Sequence, residues 1–160
     1  MLHNIDALFD SKSKILILGS FPSEKSRSEG FFYAHPQNRF WPLLAEILHA
    51  PIPRSTAEKR ALCLNGRIAL WDVIASCDIT GSSDSSIKNV QPNDIARLLN
   101  STNISHIFLN GKTAGRLYMR HLAASAGGEY TILPSTSPAN AAFDMKRLFS
   151  HWENIRQYLV

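Results

Sequence analysis

Residues 14–20 read KILILGS: four consecutive aliphatic residues that run into Gly-Ser and then Phe-Pro-Ser. An apolar run without polar alternation is the signature of a strand covered on both faces, as in a parallel sheet with helices above and below. The pattern recurs at RIALWDV (67–73), HIFLNG (106–111) and EYTILPS (129–135), each leaving the sheet through small or turn-forming residues. Between and after these runs lie segments with helical apolar periodicity, FWPLLAEILHA (40–50), TAEKRALCL (56–64), NDIARLLN (93–100), AGRLYMRHLAAS (114–125) and DMKRLFSHWENIRQYLV (144–160). Strands separated by helices imply βαβ units. The predicted fold is therefore an α/β three-layer sandwich with a central parallel sheet of about four strands flanked by helices.

The chain of 160 residues, 44% of them hydrophobic, suffices for one core, and residues 1–160 are expected to form a single domain. Asn93 or Asp94 is placed to cap the helix at 93–100, while Gly111 and Lys112 open the next helix directly after a strand. Backbone N–H groups then point at the strand ends, and a site is expected above the carboxyl ends of the sheet. Segment 76–92, SCDITGSSDSSIKNVQP, is predicted as one long polar loop, either mobile or ordered by a ligand.

Seventeen Lys and Arg against thirteen Asp and Glu give a formal charge of +4, which permits a polyanionic partner without requiring one. Cys63 and Cys77 form no CxxC pair and the six histidines show no HxxxH spacing, so neither metal nor cofactor is expected, and a reduced compartment is. No basic segment followed by an apolar stretch opens the chain, and no apolar run approaches the roughly 20 residues of a bilayer span. The expectation is a cytoplasmic monomer with no membrane partner.

Three strand exits hold the candidate chemistry. GSFPS (19–23) is a proline-stiffened turn that displays amides and two hydroxyls over the sheet, and taken alone it reads as an ordinary turn. STSPAN (135–140) is a second exit of hydroxyls, proline and a carboxamide in the same crevice. Asn110 ends a strand where its amide either caps the following helix or reads a ligand's hydrogen-bonding edge. GFFYAHPQNRFW (30–41) adds an unusual density of aromatic residues. There Phe40 and Trp41 begin the apolar face of a helix, while Tyr33 is the better candidate to face a planar ligand. Asn38 precedes that helix, and from residue type alone an N-cap is the preferred reading.

Taken in order, GSFPS, GFFYAHPQNRFW, IALWDV, IFLNGKTA and LPSTSPANA resemble the uracil-DNA glycosylase superfamily, closest to its hypoxanthine (deoxyinosine) branch, over about residues 14–145. The HPxNRFW element is also similar to mismatch-specific uracil/thymine glycosylases, in which an aromatic residue just before Ala-His-Pro stacks on the extruded base; the likeness gives that role to Tyr33. Most of the superfamily carries a catalytic Asp or Asn at the third position of the first turn, whereas Phe21 stands there in this chain. In the hypoxanthine branch an asparagine of HPxN takes over, and the resemblance thus makes Asn38 catalytic. Many members close the site with His-Pro-Ser-Pro and a large apolar wedge, where this chain has Ser135, Thr136, Ser137, Pro138 and only Ala139.

The resemblance implies a monofunctional glycosylase, without cofactor, that flips hypoxanthine or uracil from DNA and hydrolyses its bond to the sugar in base excision repair. An extruded base would stack on Tyr33 while the turn Gly19, Ser20 and Phe21 and the side chain of Asn110 meet its edge. Asn38 would orient water. Ser20, Ser23, Ser135, Ser137 and Lys112 would hold flanking phosphates, with Lys146 and Arg147 as weaker candidates. Thr136, Pro138, Ala139 and Asn140 would belong with these serines to the loop that meets the DNA phosphates and minor groove, and with no large wedge at Ala139 the residues Asn140 to Phe143 would enter the gap left by the flipped base. Two rivals are a damaged-base-binding module without catalysis and a serine hydrolase using Ser20, Asn110 and His151.

Overall fold

The computed structural model describes residues 1–80 and 84–160. Its strands are β1 (Ile15–Gly19), β2 (Ile68–Asp72), β3 (Ile74–Asp78), β4 (Lys88–Pro92), β5 (His106–Asn110) and β6 (Tyr130–Leu133). Its helices are α1 (Glu24–Glu29), α2 (Phe40–Ile47), α3 (Thr56–Asn65), α4 (Ile95–Asn100), α5 (Lys112–His121), α6 (Ala123–Ala126) and α7 (Met145–Trp152). The four apolar runs form one parallel sheet in the order β2-β1-β5-β6, with helices on both faces, as the sequence predicts.

β1 lies inside that sheet, and Ile15 through Leu18 have no exposed surface. Alternate side chains leave a strand on opposite faces. Ile15 and Ile17 pack with α2, α3 and α7 residues such as Phe40, Cys63 and Trp152, while Leu16 and Leu18 pack with Ile95 and Leu98 of α4 and Leu117 of α5. One strand thus anchors two cores, and each buried aliphatic side chain is worth roughly 1.5–3 kcal/mol of transfer free energy. The edge of β2 is covered by the amino-terminal segment, where Leu8 and Leu70 exchange both backbone hydrogen bonds at 2.9 Å. No described helix is long and apolar enough to cross a membrane.

Three expectations are corrected. Segment 76–92 is not one loop: Ile74–Asp78 and Lys88–Pro92 pair antiparallel as β3 and β4, although its residues 81–83 lie outside the described part. Register shifts at Ser76 break the period-2 pattern from which a strand is read, and polar residues dominate the hairpin. The helix foreseen at 114–125 starts at Lys112 and breaks at Leu122 (φ −130°, ψ −27°) into α5 and α6, and the carboxyl-terminal helix gives way after Trp152 to a 3₁₀ segment, Glu153–Tyr158. α1 is a six-residue helix for which the sequence offers little periodicity; Ser23 caps it, accepting from Ser26 N at 3.2 Å, and Gly30 closes it at φ 72°.

Of the two residues placed to cap α4, Asp94 does so by accepting from Arg97 N. Buried Asn93 has a different task. Its Nδ2 donates to the carbonyls of Asp72 (2.9 Å) and Ile74 (3.2 Å), pinning the kink where β2 passes into β3. Asn93→Leu leaves two buried carbonyls without donors and should cost about 2–3 kcal/mol, read as a lowered urea midpoint with an unchanged slope.

Candidate active site

Gly19 and Asp72 are register partners at the carboxyl ends of β1 and β2. A Cβ at position 19 would come within 2.4 Å of Asp72 Oδ1, so only glycine leaves room for that carboxylate. The other oxygen, Oδ2, accepts from His3 Nε2 at 2.7 Å, with the His3 side chain 3% exposed. Because Ile5 N donates to His3 Nδ1 (3.1 Å), the ring proton must sit on Nε2. A buried carboxylate is therefore held by one oxygen while the other faces the Gly19 turn. The carbonyls of Gly19 and Ser20 accept from Val73 N (2.8 Å) and Ile74 N (3.1 Å), which ties the same turn to the β2–β3 junction.

Above β5, Asn110, Thr136 and Asn38 form a hydrogen-bond chain whose direction is fixed. Thr136 N donates to Asn110 Oδ1 (3.0 Å), so the Asn110 amide nitrogen is the atom that donates to Thr136 Oγ1 (3.0 Å). The Thr136 hydroxyl then has one proton, which goes to Asn38 Oδ1 at 2.8 Å. Asn38 Oδ1 also accepts from Phe40 N (2.9 Å) at the start of α2. Both Asn38 acceptor sites are filled, whereas no described residue accepts from its Nδ2. Thr136 itself is fully buried.

Arg39, next in the chain, binds the closing loop from beneath. Its guanidinium donates to the carbonyls of Ser137 (2.8 Å), Asn140 (3.1 Å) and Phe143, and its backbone N–H to that of Thr136 (3.1 Å). Within the loop, the hydroxyls of Ser135 and Ser137 accept from Ser137 N and Ala139 N and keep their own protons available. Gly111 (φ 103°) brings the start of α5 against Ser135, whose Cβ would lie 3.0 Å from a Cβ at 111.

Tyr33 holds a left-handed conformation at φ 52°, costly for a non-glycine residue, by about 1 kcal/mol or more. One face of its ring stacks on Phe40, 4.1 Å away and 21° off parallel. Its hydroxyl lies 3.3 Å from the Cβ position of Gly19 and has no hydrogen-bond partner of good geometry among the described residues. Burial and the Asp72 carboxylate push this phenol far above the ordinary range, opposed only by the nearby Asn110 amide, whose bonds run to Thr136. A buried polar atom without a partner, at the carboxyl ends of the strands, marks a place a ligand can satisfy.

The family model of the uracil DNA glycosylase superfamily matches residues 7–159. This chain belongs to that superfamily. It is 35% identical over 151 residues to a hypoxanthine DNA glycosylase of Methanosarcina acetivorans, covering 93% of this chain and 94% of the relative. A hypoxanthine DNA glycosylase of Methanosarcina barkeri is 33% identical over 135 residues, 83% of this chain and 84% of the other. Among solved structures, the solution NMR structure of a candidate uracil DNA glycosylase from M. acetivorans superposes with a TM-score of 0.84 at 33% identity over 99% of both chains. The superfamily's DNA glycosylase framework accounts for the crevice at the carboxyl ends of the strands.

Of the residues singled out from sequence, Gly19, Tyr33, Asn38, Asn110 and Thr136 meet in this crevice. Phe21 turns its ring away, edge-on to His3 at 6.0 Å and beneath Arg27. The Ser23 hydroxyl is engaged in the α1 cap, and Arg147 folds over Phe143 and donates to Ala142 O. His151 packs edge-on to Phe143 and makes no hydrogen bond with Ser20. Sequence reading missed Asp72, His3 and Arg39. The IALWDV motif contained a signal, since a lone acid at the end of an apolar strand run needs a partner.

Two outcomes follow. Thr136→Val strips Asn38 and Asn110 of a shared partner and should destabilise by about 1–3 kcal/mol in chemical denaturation. For Tyr33 the raised folded pKa means that neutral phenol is favoured in the native state while the unfolded phenol ionises near its ordinary value of 10.0. Its contribution is intact below pH 10 and falls as pH rises beyond it. Tyr33→Phe should therefore flatten part of the alkaline loss of stability, seen as a smaller drop in thermal midpoint between pH 9 and about 11.

Proposed function

We propose that the chain is a monofunctional DNA glycosylase that extrudes a deaminated base, hypoxanthine before uracil, and hydrolyses its N-glycosidic bond in base excision repair. The observation that carries this reading is the fixed Asn110–Thr136–Asn38 chain beside the unpartnered Tyr33 hydroxyl. The relatives named hypoxanthine DNA glycosylase, at 33% and 35% identity over most of the chain, support the choice of base.

Extrusion exposes the glycosidic bond and costs a few kcal/mol, least at the mismatched pairs that deamination creates. The base then lies against the face of Tyr33 opposite Phe40. Hypoxanthine and uracil each present a carbonyl next to a ring N–H. That edge is complementary to one donor and one acceptor. The second Asn110 N–H and the backbone amides of the Gly19–Phe21 turn donate, while the second lone pair of Asn110 Oδ1 and Asp72 Oδ1 accept. The same donors stabilise the negative charge that gathers on the base as it leaves, and the Asp72 carboxylate favours the positive charge that develops on the sugar.

Asn38 has only N–H groups left to offer, so it holds water through the water oxygen and takes no proton from it. A good leaving group makes that sufficient, because water attacks a sugar that is already oxocarbenium-like, and the proton it then sheds passes to the departed base anion or to bulk water. Ser20, Ser135 and Ser137 donate hydroxyl protons to flanking phosphates, aided by Lys112 at the start of α5. The exposed tip of the closing loop, Pro138, Ala139, Ala141 and Ala142, is small and apolar and follows the extruded base into the stack.

The test is release of base from duplexes bearing hypoxanthine or uracil opposite each normal base. Wild type should release hypoxanthine, and Asn38→Ala should lose about 10²-fold or more in single-turnover rate while still binding the lesion. Tight lesion binding without release by wild type would replace this reading with a damaged-base-binding module.

A further inference from the structure

A groove of about 490 Å³ runs between the β3–β4 hairpin and the second half of α5, the helix that starts two residues after Asn110. Lys88 stands on one wall, Arg116, Arg120 and His121 on the other, and buried Leu117 lies at its floor. α5, KTAGRLYMRH, contains no acidic residue. Lys112, Arg116 and Arg120 are exposed and spaced four apart, so they form one row along a single helix face. None of these three, nor Lys88, forms a salt bridge among the described residues. The nearest acids of the hairpin do not line the groove: Asp78 pairs across from Lys88 and accepts from Asn89 Nδ2 at 2.6 Å, and Asp84 lies in the 3₁₀ turn Asp84–Ser86.

Such a row works against the free protein. Like charges four residues apart repel, and Lys112 in the first turn opposes the helix dipole. Arg120 and His121 suit the dipole at the other end, which leaves Lys112 and Arg116 without an intramolecular reason. The row also begins at the candidate site, since Lys112 follows Asn110 by two residues. Ten helical residues rise about 15 Å, the length of about four to five base pairs.

We propose that this groove is a second contact for the DNA backbone, with the strand leaving the crevice running along α5 so that its phosphates meet Arg116, Arg120 and Lys88. The inference rests on the glycosylase reading for what occupies the crevice. It adds an anchor several base pairs from the lesion, contributed by the hairpin and the flank of α5 and not by the loops around the site.

The test compares wild type with the triple variants Lys88→Glu/Arg116→Glu/Arg120→Glu and Lys88→Gln/Arg116→Gln/Arg120→Gln. One hypoxanthine duplex ends about three base pairs beyond the lesion and another extends about ten, and affinity for an undamaged long duplex is followed against salt. On the long duplex the Glu variant should lose about 10-fold or more in kcat/KM and the Gln variant less, while the short duplex is processed alike by all three proteins. The slope of log affinity against log salt should fall by about 2 to 3, at roughly 0.9 for each phosphate that is no longer neutralised. The Gln variant should melt no lower than wild type, because it removes repulsion. An unchanged salt slope and an unchanged advantage of the long duplex in both variants would overturn the proposal. Absence of base release by wild type from either duplex would overturn the glycosylase reading instead, and the salt slope on undamaged DNA would still decide the groove.

Discussion

The buried hydroxyl of Thr136 holds the site together. It is the point at which three separate segments, the approach to α2, the end of β5 and the loop after β6, meet through side chains. Each bond leaves the next group one choice: a backbone N–H fixes which end of Asn110 faces it, and that fixes where the Thr136 proton goes. Directionality of this kind is worth more than the sum of its bonds, because any misoriented amide would leave a buried polar group unpaired. Arg39 completes the arrangement by gathering loop carbonyls that would otherwise face solvent or one another. A loop of small residues with little apolar anchorage thereby acquires a defined path over the sheet.

The sheet and its order of helices were legible because burial on both faces writes itself as uninterrupted aliphatic runs. KILILGS could hardly be anything else in a chain of alternating strands and helices. The hairpin was not legible, since its strands are short, bulged and polar, and the buried residues of β3, Ile74 and Cys77, are separated by Ala and Ser instead of alternating with polar neighbours. Asp72 was hidden for another reason. Its significance arises only from register with Gly19 and from the amino-terminal segment laid along β2, and neither partner is near it in sequence.

Asn38 illustrates a question that sequence poses badly. Capping and catalysis appeared as rival uses of one carboxamide. The structure gives its oxygen to the helix start and to Thr136 and leaves its nitrogen free, so one side chain serves the fold with one end and is available to a ligand with the other. Tyr33 is divided in the same manner, with one face on Phe40 and a hydroxyl that no described residue satisfies. The left-handed backbone at Tyr33 is consistent with strain retained where a ring must be placed for use.

This division constrains any chemistry proposed for the crevice. A carboxamide whose oxygen already accepts twice cannot serve as a proton acceptor, and Phe21 at the third position of the first turn offers none. The remaining carboxylate, Asp72, has one oxygen committed to His3 and lies beside the Tyr33 phenol, with only Oδ1, turned toward Gly19, left to meet a ligand. Under the proposed reading the enzyme therefore spends its organisation on the departing base and leaves water to a late, weakly assisted attack. That arrangement suits bases that leave as delocalised anions and is poorly suited to those that do not, so discrimination among substrates would follow from leaving-group ability as well as from the shape of the pocket.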